Sequence, residues 1–181
     1  MRIVSGILRG RQINPPTGFD ARPTTDFAKE SLFNILNNHF DFEDCDALDL
    51  FAGSGNIGFE LYSRGCKSVS SVEMNPKYVQ FIENCIKNFD CAGMQVIKAD
   101  AYRYLKTTPR KFDIIFADPP YSKARYDNIH QAVFEKEILK TGGLLILEHN
   151  NDVDLSHLAY YRETRKYAGV QFSFFGVKSG E

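Results

Sequence analysis

The 181-residue sequence contains no tryptophan, only three methionines and four cysteines, and no long uninterrupted apolar run. The cysteines are widely spaced with no Cys-x-x-Cys pair, which argues against a disulfide scaffold, a zinc site or a thiol redox motif. No stretch approaches the roughly 18 consecutive apolar residues of a membrane span, and the first residues lack the apolar core of a secretory signal. We therefore expect a cytoplasmic protein with reduced cysteines and with neither a membrane nor a metal partner.

An excess of charge of either sign is also missing, because 22 Lys and Arg residues face 23 Asp and Glu residues, a formal net charge of −1. This balance excludes a broadly basic nucleic-acid binder. The charges are unevenly distributed, however: residues 1–30 hold five basic and three acidic groups, whereas residues 31–156 hold 13 basic and 18 acidic groups. The sequence thus predicts a basic amino-terminal region on an acidic body, in a chain long enough for one domain.

Two short strand patterns, 3–8 and 11–13, precede Pro15-Pro16 and predict a small hairpin extension over residues 1–24. Residues 25–181 form the predicted catalytic core, in which short apolar strands alternate with helical patterns. The predicted strands are 47–51, 68–73, 95–98, 112–117 and 144–148. The predicted helices are 25–38 and four that begin near Ile57, Pro76, Ala101 and Tyr126. A closing antiparallel hairpin is predicted from residues 158–167 and 170–175. This alternation predicts an α/β fold, a doubly wound and mostly parallel sheet with helices on both faces.

A glycine-rich segment follows the first of these strands, Asp49-Leu50-Phe51-Ala52-Gly53-Ser54-Gly55-Asn56-Ile57-Gly58. A Gly-x-Gly-x-x-Gly pattern between a strand and a helix lets the backbone turn tightly beside a nucleotide-like ligand. Glu73 ends the next strand, where a carboxylate could accept hydrogen bonds from ribose hydroxyls, and Asp100 follows the strand after that, where it could lie near an adenine amino group. The pattern predicts an adenosine-type cofactor without deciding between a dinucleotide and S-adenosylmethionine.

The strand at 112–117 runs directly into Asp118-Pro119-Pro120-Tyr121. Because prolines supply no backbone N–H, this turn is rich in acceptors and poor in donors. An aromatic amino group is the complementary ligand, and Asp118 with a carbonyl near Pro119 would orient its nitrogen lone pair toward an electrophile while Tyr121 stacks on the base. The motif therefore predicts methylation of an exocyclic amine, with Asp118, Pro119, Pro120 and Tyr121 as the catalytic residues and the sulfonium methyl of S-adenosyl-L-methionine as the electrophile.

These motifs resemble those of the S-adenosylmethionine-dependent methyltransferases and, within them, the bacterial 16S rRNA guanine-N2 methyltransferases. The resemblance covers essentially the whole chain, and its more selective parts are Arg2-Ile3-Val4-Ser5-Gly6 with Arg9-Gly10-Arg11 and the block Arg22-Pro23-Thr24-Thr25-Asp26. It implies a seven-stranded sheet of the class I methyltransferase type with a reversed edge strand. It also implies methylation of one guanine, the 966-type site, in 16S ribosomal RNA, on the small subunit or its assembly intermediate. Nothing in the sequence demands more than a monomer, which is the oligomeric state that we expect.

The motifs and the resemblance together assign the site residues. The cofactor-binding residues lie in the glycine loop and at the strand ends: Asp49, Phe51, Ala52, Gly53, Ser54, Gly55, Gly58, Glu73, Met74, Asp100, Ala101 and Asp118. The RNA-binding residues are basic or polar: Arg2, Arg9, Arg11, Arg22, Thr24, Lys29, Lys123 and Arg125. Phe27 and Lys29 stand where the family pattern has arginine, Asn75 where it often has an acid and Ser5 where glycine is common, which leaves the details of RNA docking open.

Other functions stay open at this point. A DNA adenine or cytosine amino methyltransferase can carry the same loop and turn, although it usually has a target-recognition region for which this chain has no room. A protein glutamine methyltransferase would carry Asn at position 118, and an NAD-dependent oxidoreductase would leave Asp118–Tyr121 without a role. The alternative outside enzymes is an RNA-binding module with a relic cofactor fold.

Overall fold

The computed structural model describes residues 1–18, 25–167 and 169–177. In this part of the chain the helices are α1 (Asp26–Asn37), α2 (Asn56–Ser63), α3 (Pro76–Asn88), α4 (Ala101–Thr107) and α5 (Tyr126–Glu135), with single 3₁₀ turns at Phe42–Asp44 and Tyr121–Lys123. The strands are β1 (Asp46–Leu50), β2 (Ser68–Glu73), β3 (Met94–Lys98), β4 (Phe112–Ala117), β5 (Leu139–His149), β6 (Tyr161–Tyr167) and β7 (Val170–Phe175).

The strands form one seven-stranded sheet in the order β3-β2-β1-β4-β5-β7-β6. Strands β1 to β5 are parallel, and β7 pairs antiparallel with both β5 and β6. The predicted α/β class and its mostly parallel sheet are therefore confirmed. The reversed strand is β7, which lies between β5 and the edge strand β6, because the second arm of the closing hairpin is the one that pairs with the parallel sheet.

Apolar side chains alternate between two hydrophobic layers, one on each face of the sheet. In β5, Leu144 and Ile146 belong to the layer covered by α1, α2 and α3, whereas Leu145 and Leu147 belong to the layer covered by α4 and α5. Strands buried on both faces carry continuous apolar runs, which is why Phe112–Ala117 shows no polar alternation at its end. The site-bearing loops are thereby anchored to a rigid two-sided core.

Helices α1 and α3 begin at capping residues that can be recognised in the sequence. Thr25 Oγ1 accepts a hydrogen bond from the Ala28 amide. Asn75, which directly precedes Pro76, accepts one at its Oδ1 from the Lys77 amide. Side-chain oxygens at these positions satisfy amide donors that the first helical turn leaves free. The predicted starts of α1 and α3 are confirmed within one residue.

The amino-terminal segment differs from its prediction. Arg2 and Gln12 form an antiparallel bridge, and the Ile3 amide donates to the Arg11 carbonyl at 3.0 Å. Residues 3 and 4 belong to no strand and residues 5–10 are turn and bend, so the strand predicted over 3–8 is wrong, and Gln12 is the one bridged residue of the strand predicted over 11–13. The chain leaves the extended conformation because Gly6 brings its backbone against the end of α2, and Ile3, Leu8 and Ile13 then enter the same apolar layer as α1.

Replacing Gly6 with alanine is expected to destabilise the protein by about 1–3 kcal/mol, the usual cost of forcing extra volume into a packed site. Gly6 has φ of +81°, and a Cβ there would overlap the Ser63 carbonyl oxygen at 1.7 Å. Urea denaturation measures the change. Gly10→Ala is the matched control, because Gly10 has φ of +84° with nothing within 4 Å of its Cβ position. Equal losses for the two variants would contradict the contact with Ser63.

All four cysteines are free and buried: Cys45, Cys66, Cys85 and Cys91. Within the described residues, no group of three or more His, Cys, Asp and Glu side chains is arranged to hold a metal ion. None of the helices in that same part of the chain has both the length and the apolarity that crossing a membrane requires.

Candidate active site at the carboxyl edge of the sheet

The loops that follow the parallel strands share one edge of the sheet. Leu50 is paired with Val72 on one side and with Ala117 on the other, so β1, β2 and β4 end at the same level. The glycine loop, Glu73 and the turn at Asp118 consequently lie side by side. The crevice at this edge is where open parallel sheets bind ligands.

The glycine loop turns through two left-handed positions before α2 begins. Gly53 and Gly55 have φ of 55° and 77°, and the Gly55 amide donates to the Ala52 carbonyl at 2.7 Å. A Cβ at Gly55 would lie 3.0 Å from the Phe59 ring, so glycine serves both the turn and the packing beneath it. At Gly58 a Cβ would meet Ser71 Oγ at 2.5 Å, which shows that the third glycine allows α2 to approach the sheet closely.

Glu73 holds the glycine loop through its carboxylate. Its Oε2 accepts a hydrogen bond from the Gly53 amide at 2.8 Å, and its Oε1 accepts one from the Asn75 amide at 2.7 Å. Each oxygen retains a second lone pair, so the carboxylate can still accept from a ligand hydroxyl. Met74 exposes its apolar side chain next to this carboxylate, which gives the edge an apolar surface beside an acceptor.

Asp49 supports the same loop from below. The side chain is buried, and its Oδ2 accepts a hydrogen bond from the Gly58 amide at 3.0 Å. Burial raises the pKa of the Asp49 carboxyl to about 8, and the nearby acidic groups of Asp118 and Glu73 act in the same direction. Asp49 thus supports the backbone of the glycine loop, and its role in cofactor binding stays a prediction.

The part of the crevice beside α4 is aromatic. One of its residues, Tyr102, was missed by the sequence interpretation. Tyr102 contacts Phe51 edge-to-face at 5.5 Å between ring centroids, and the Arg125 guanidinium lies 4.1 Å from the Tyr102 ring centroid. The Arg125 amide also donates to the Tyr102 hydroxyl at 3.0 Å. Asp100 is exposed, and its Oδ1 caps α4 through the Arg103 amide while Ala101 begins that helix. The signal that could have identified Tyr102 is its position directly after Ala101, a residue already assigned to the cofactor site.

Asp118 follows β4 directly and lies against the end of β1. Its amide donates to the Leu50 carbonyl at 3.4 Å, and burial raises the pKa of its carboxyl to about 7. Pro119 is buried and Pro120 is exposed, while Tyr121 is about half exposed in the 3₁₀ turn that follows. The turn therefore presents a carboxylate, carbonyl groups and an aromatic ring at one place, with no amide donors from the prolines.

Tyr126, the first residue of α5, is a second residue that the sequence interpretation missed. Its ring contacts His149 at 6.0 Å, and its buried hydroxyl has no hydrogen-bond partner among the described residues. Burial raises the pKa of this hydroxyl, with further contributions from Tyr121, Asp118 and Glu148. Ala117 is paired with Leu147, so Asp118 and the buried Glu148 follow at the same level of neighbouring strands. The sequence pattern marked Tyr126 as the start of a helix and not as a residue of the site.

The basic residues of the amino-terminal segment remain on the surface. Arg2 forms an exposed ion pair with Asp26 at 3.7 Å, and Arg11 lies over the Phe89 ring at 5.7 Å. Arg2 and Arg9 also line a polar cleft of about 400 Å³ between this segment and α1. Arg22, Thr24 and the Lys123 side chain lie outside the part of the chain that the structure describes.

Lys29 corrects one prediction. We expected it to contact RNA, but its side chain is 0% exposed. Its Nζ donates to the Arg2 carbonyl at 2.5 Å and to Asn56 Oδ1 at 2.9 Å, and it lies 3.4 Å from Glu60 Oε2. Burial lowers the pKa of Lys29 whereas Glu60 raises it. A buried carboxylate requires a cation, so Lys29 points inward and joins the amino-terminal segment to Asn56, the first residue of α2.

Sheet order, strand directions and the positions of the two loops define the class I methyltransferase fold. The solved structure of the Escherichia coli protein yhhF superposes with a TM-score of 0.85 at 26% identity, covering 97% of this chain and 96% of that one. The family model described as Conserved hypothetical protein 95 matches residues 1–176. The chain belongs to this family of S-adenosylmethionine-dependent methyltransferases.

Two curated relatives give the degree of similarity. The Bacillus subtilis protein YlbH is 35% identical over 159 residues, which are 86% of this chain and 85% of that protein. Ribosomal RNA small subunit methyltransferase D of Haemophilus influenzae is 32% identical over 159 residues, 86% of this chain and 81% of that protein.

Proposed function

We propose that this protein transfers the methyl group of S-adenosyl-L-methionine to the exocyclic N2 amine of one guanine in 16S ribosomal RNA. The observation that carries the proposal is the acceptor-rich turn at Asp118, which is hydrogen-bonded to the end of β1 immediately before the glycine loop. A base-binding turn and a cofactor-type loop are thereby neighbours. The name of the Haemophilus influenzae relative, a small-subunit ribosomal RNA methyltransferase, supports the choice of substrate.

The residues at the edge of the sheet fit an adenosine-containing cofactor. Glu73 offers acceptors for ribose hydroxyls, the exposed Met74 offers an apolar surface for a base, and the Phe51–Tyr102 pair extends that surface. Glycines in the loop let the backbone approach the methionine part closely. When bound there, S-adenosylmethionine would supply an electrophilic methyl group on a sulfonium.

Asp118 would orient the attacking nitrogen. In the proposed complex, one N–H of the guanine amine donates to the Asp118 carboxylate and the other donates to a carbonyl of the Pro119 region, so the lone pair is directed to the methyl carbon. The nitrogen would bond to the methyl carbon as the C–S bond breaks with its electron pair left on sulfur, so positive charge would develop on the nitrogen. A carboxylate in a site with little water stabilises that charge and can accept the released proton.

The amino-terminal arginines would hold the RNA through its phosphates, since fixed cations position nucleic acid without reading its sequence. Replacing both Arg9 and Arg11 with alanine is expected to weaken RNA binding and to reduce the slope of log K against log salt by about 1.4–1.8, or about 0.7–0.9 for each phosphate contact. Filter binding of small-subunit RNA across a salt series measures the slope.

The matched control for this variant is Arg103→Ala with Lys106→Ala, which removes two exposed cations from α4. We expect the control to keep the wild-type slope. If the Arg9 and Arg11 variant also keeps it, the assignment of phosphate contacts to the amino-terminal segment is wrong.

Transfer of a labelled methyl group to defined nucleic acids tests the proposed function. We expect label from S-adenosylmethionine in small-subunit ribosomal RNA and none in large-subunit RNA or duplex DNA. Label in DNA would favour an amino methyltransferase of DNA instead. Calorimetric binding of NAD with no response to S-adenosylmethionine would reject the proposal altogether.

A further inference from the structure

Phe27 is an apolar side chain in an unusual place. It lies in the first turn of α1, where its side chain is 68% exposed. Its one described ring contact is Tyr167, edge-to-face at 6.0 Å between centroids and 78° between planes. Tyr167 ends β6 and is itself only partly buried. The two rings form an aromatic pair, here called the Phe27–Tyr167 pair, in which Phe27 is exposed and Tyr167 supports it from a half-buried position.

The strand register puts this pair at the same edge of the sheet as Asp118. Tyr167 is paired with Val170, the next residue of β7 is paired with His149, and His149 ends β5. Leu147 of β5 is in turn paired with Ala117, which precedes Asp118. Three strand spacings separate β4 from β6, or roughly 14 Å at the usual distance between neighbouring strands. The pair therefore lies beside the candidate active site along the edge.

Basic groups flank the pair. Arg2 contacts Asp26, the residue before Phe27, at 3.7 Å, and Lys166 is exposed immediately before Tyr167. Exposed aromatic rings beside cations are the combination that binds single-stranded nucleic acid, because any base can stack on a ring while the phosphates are neutralised. An apolar peptide partner would not need these cations, so the charges favour RNA as the occupant.

We propose that Phe27, supported by Tyr167, stacks on an unpaired base that flanks the methylated guanine. The inference rests on the proposed function and adds to it a position where the RNA beside the target is held. Stacking is tolerant of base identity, so the pair would contribute affinity and register while Asp118 acts on the amine.

The absence of tryptophan from the chain makes this stacking directly measurable. Phe27→Trp introduces a single tryptophan at the proposed contact, which can be excited at wavelengths that the nine tyrosines do not absorb, and we expect a short oligoadenylate to quench its emission. An abasic oligoribonucleotide of the same length should leave the emission unchanged, because it supplies phosphates without bases. Quenching by the abasic strand, or no quenching by oligoadenylate, would overturn the proposal.

Tyr160→Trp is the matched control. Tyr160 is also an exposed aromatic residue, 51% exposed and stacked on Phe134 at 4.6 Å. It lies at the opposite end of β6, roughly 20 Å away by the rise of seven strand residues. We expect its emission to be insensitive to oligoadenylate. Equal quenching at both positions would indicate non-specific association and would contradict a stacking site at Phe27.

Methylation kinetics give an independent measurement. We expect Phe27→Ala to raise the KM for RNA on the order of ten-fold, to leave kcat and cofactor affinity near wild type, and to be rescued by Phe27→Tyr. An unchanged KM in an enzyme that methylates RNA would overturn the stacking site alone. If the wild-type protein methylates no RNA, the proposed function fails, whereas the emission of Phe27→Trp still reports whether bases stack there.

Discussion

Asp118→Ala is expected to reduce methyl transfer by a factor on the order of 10²–10³, the usual effect of removing one group that stabilises charge in a transition state. Cofactor affinity should change no more than a few-fold, because the glycine loop is held by Glu73 and Asp49 and not by the Asp118 side chain. Single-turnover methylation together with calorimetric titration of S-adenosylmethionine separates these two quantities.

Two further variants sharpen this result. Asp127→Ala removes an exposed carboxylate from the first turn of α5 and should leave turnover near wild type. Asp118→Asn keeps the size of the side chain but loses the negative charge, so turnover should fall in that variant as well. Turnover in Asp118→Ala equal to that of Asp127→Ala would contradict the role of the acceptor-rich turn.

The raised pKa of Asp118, about 7, gives a pH dependence. Only the ionised carboxylate would stabilise the positive charge that develops on the nitrogen and take up the released proton, so the rate of methylation should fall as the pH drops through about 7 and should level off above it. The effect on stability has the opposite sign. Because folding raises the pKa of this carboxyl, the free energy of unfolding decreases as the pH rises from the ordinary pKa of an aspartate toward 7. A pH–rate profile of the wild type whose acidic limb is absent would contradict this expectation.

Glu60→Ala is expected to lower the free energy of unfolding by about 3–5 kcal/mol, the usual cost of leaving buried charges without their partner. Glu60 is fully buried, and its carboxylate accepts from the Val4 and Ser5 amides at 2.8 and 3.1 Å. It also pairs with Arg64 at 2.8 Å and with the buried Lys29. Urea denaturation with linear extrapolation measures the loss.

The matched control is Glu83→Ala, which removes an exposed glutamate from α3 and should change stability by no more than about 0.5 kcal/mol. Glu60→Gln keeps two acceptor lone pairs but presents amide donors to the cations, so an intermediate loss is expected. A loss for Glu60→Ala as small as that of Glu83→Ala would show that the buried cluster does not anchor the amino-terminal segment.

The fold was largely predictable because local signals and the global architecture agree. Asn75 and Pro76 mark the start of α3, and the apolar run at 112–117 marks a strand buried on both faces. The amino-terminal segment was harder to predict, because the turn at Gly6 depends on close contact with Ser63, a residue that is distant in sequence. Contacts of this kind leave no periodic pattern in either segment.

The position of the candidate site was predictable where short motifs directly follow strands, as in the glycine loop and the turn at Asp118, because the ends of parallel strands meet at one edge of the sheet. Lys29 was misread because its charge suggested a surface position, whereas Glu60 on another helix determines that it is buried. Tyr126 and the Phe27–Tyr167 pair depend on how strands are registered across the sheet. The sequence shows that these residues are present, but it does not show which of them lie close together in the fold.

Mass spectrometry of nucleosides and RNA fragments tests the central claim most directly. Small-subunit RNA that lacks the modification would be incubated with the protein and with S-adenosylmethionine carrying a labelled methyl group. We predict one labelled nucleoside, N2-methylguanosine, mapped to a single guanine of 16S ribosomal RNA and formed more slowly by a factor on the order of 10²–10³ with Asp118→Ala. Label on an adenine or cytosine amine, on a ring nitrogen, or spread over many guanines would contradict the account.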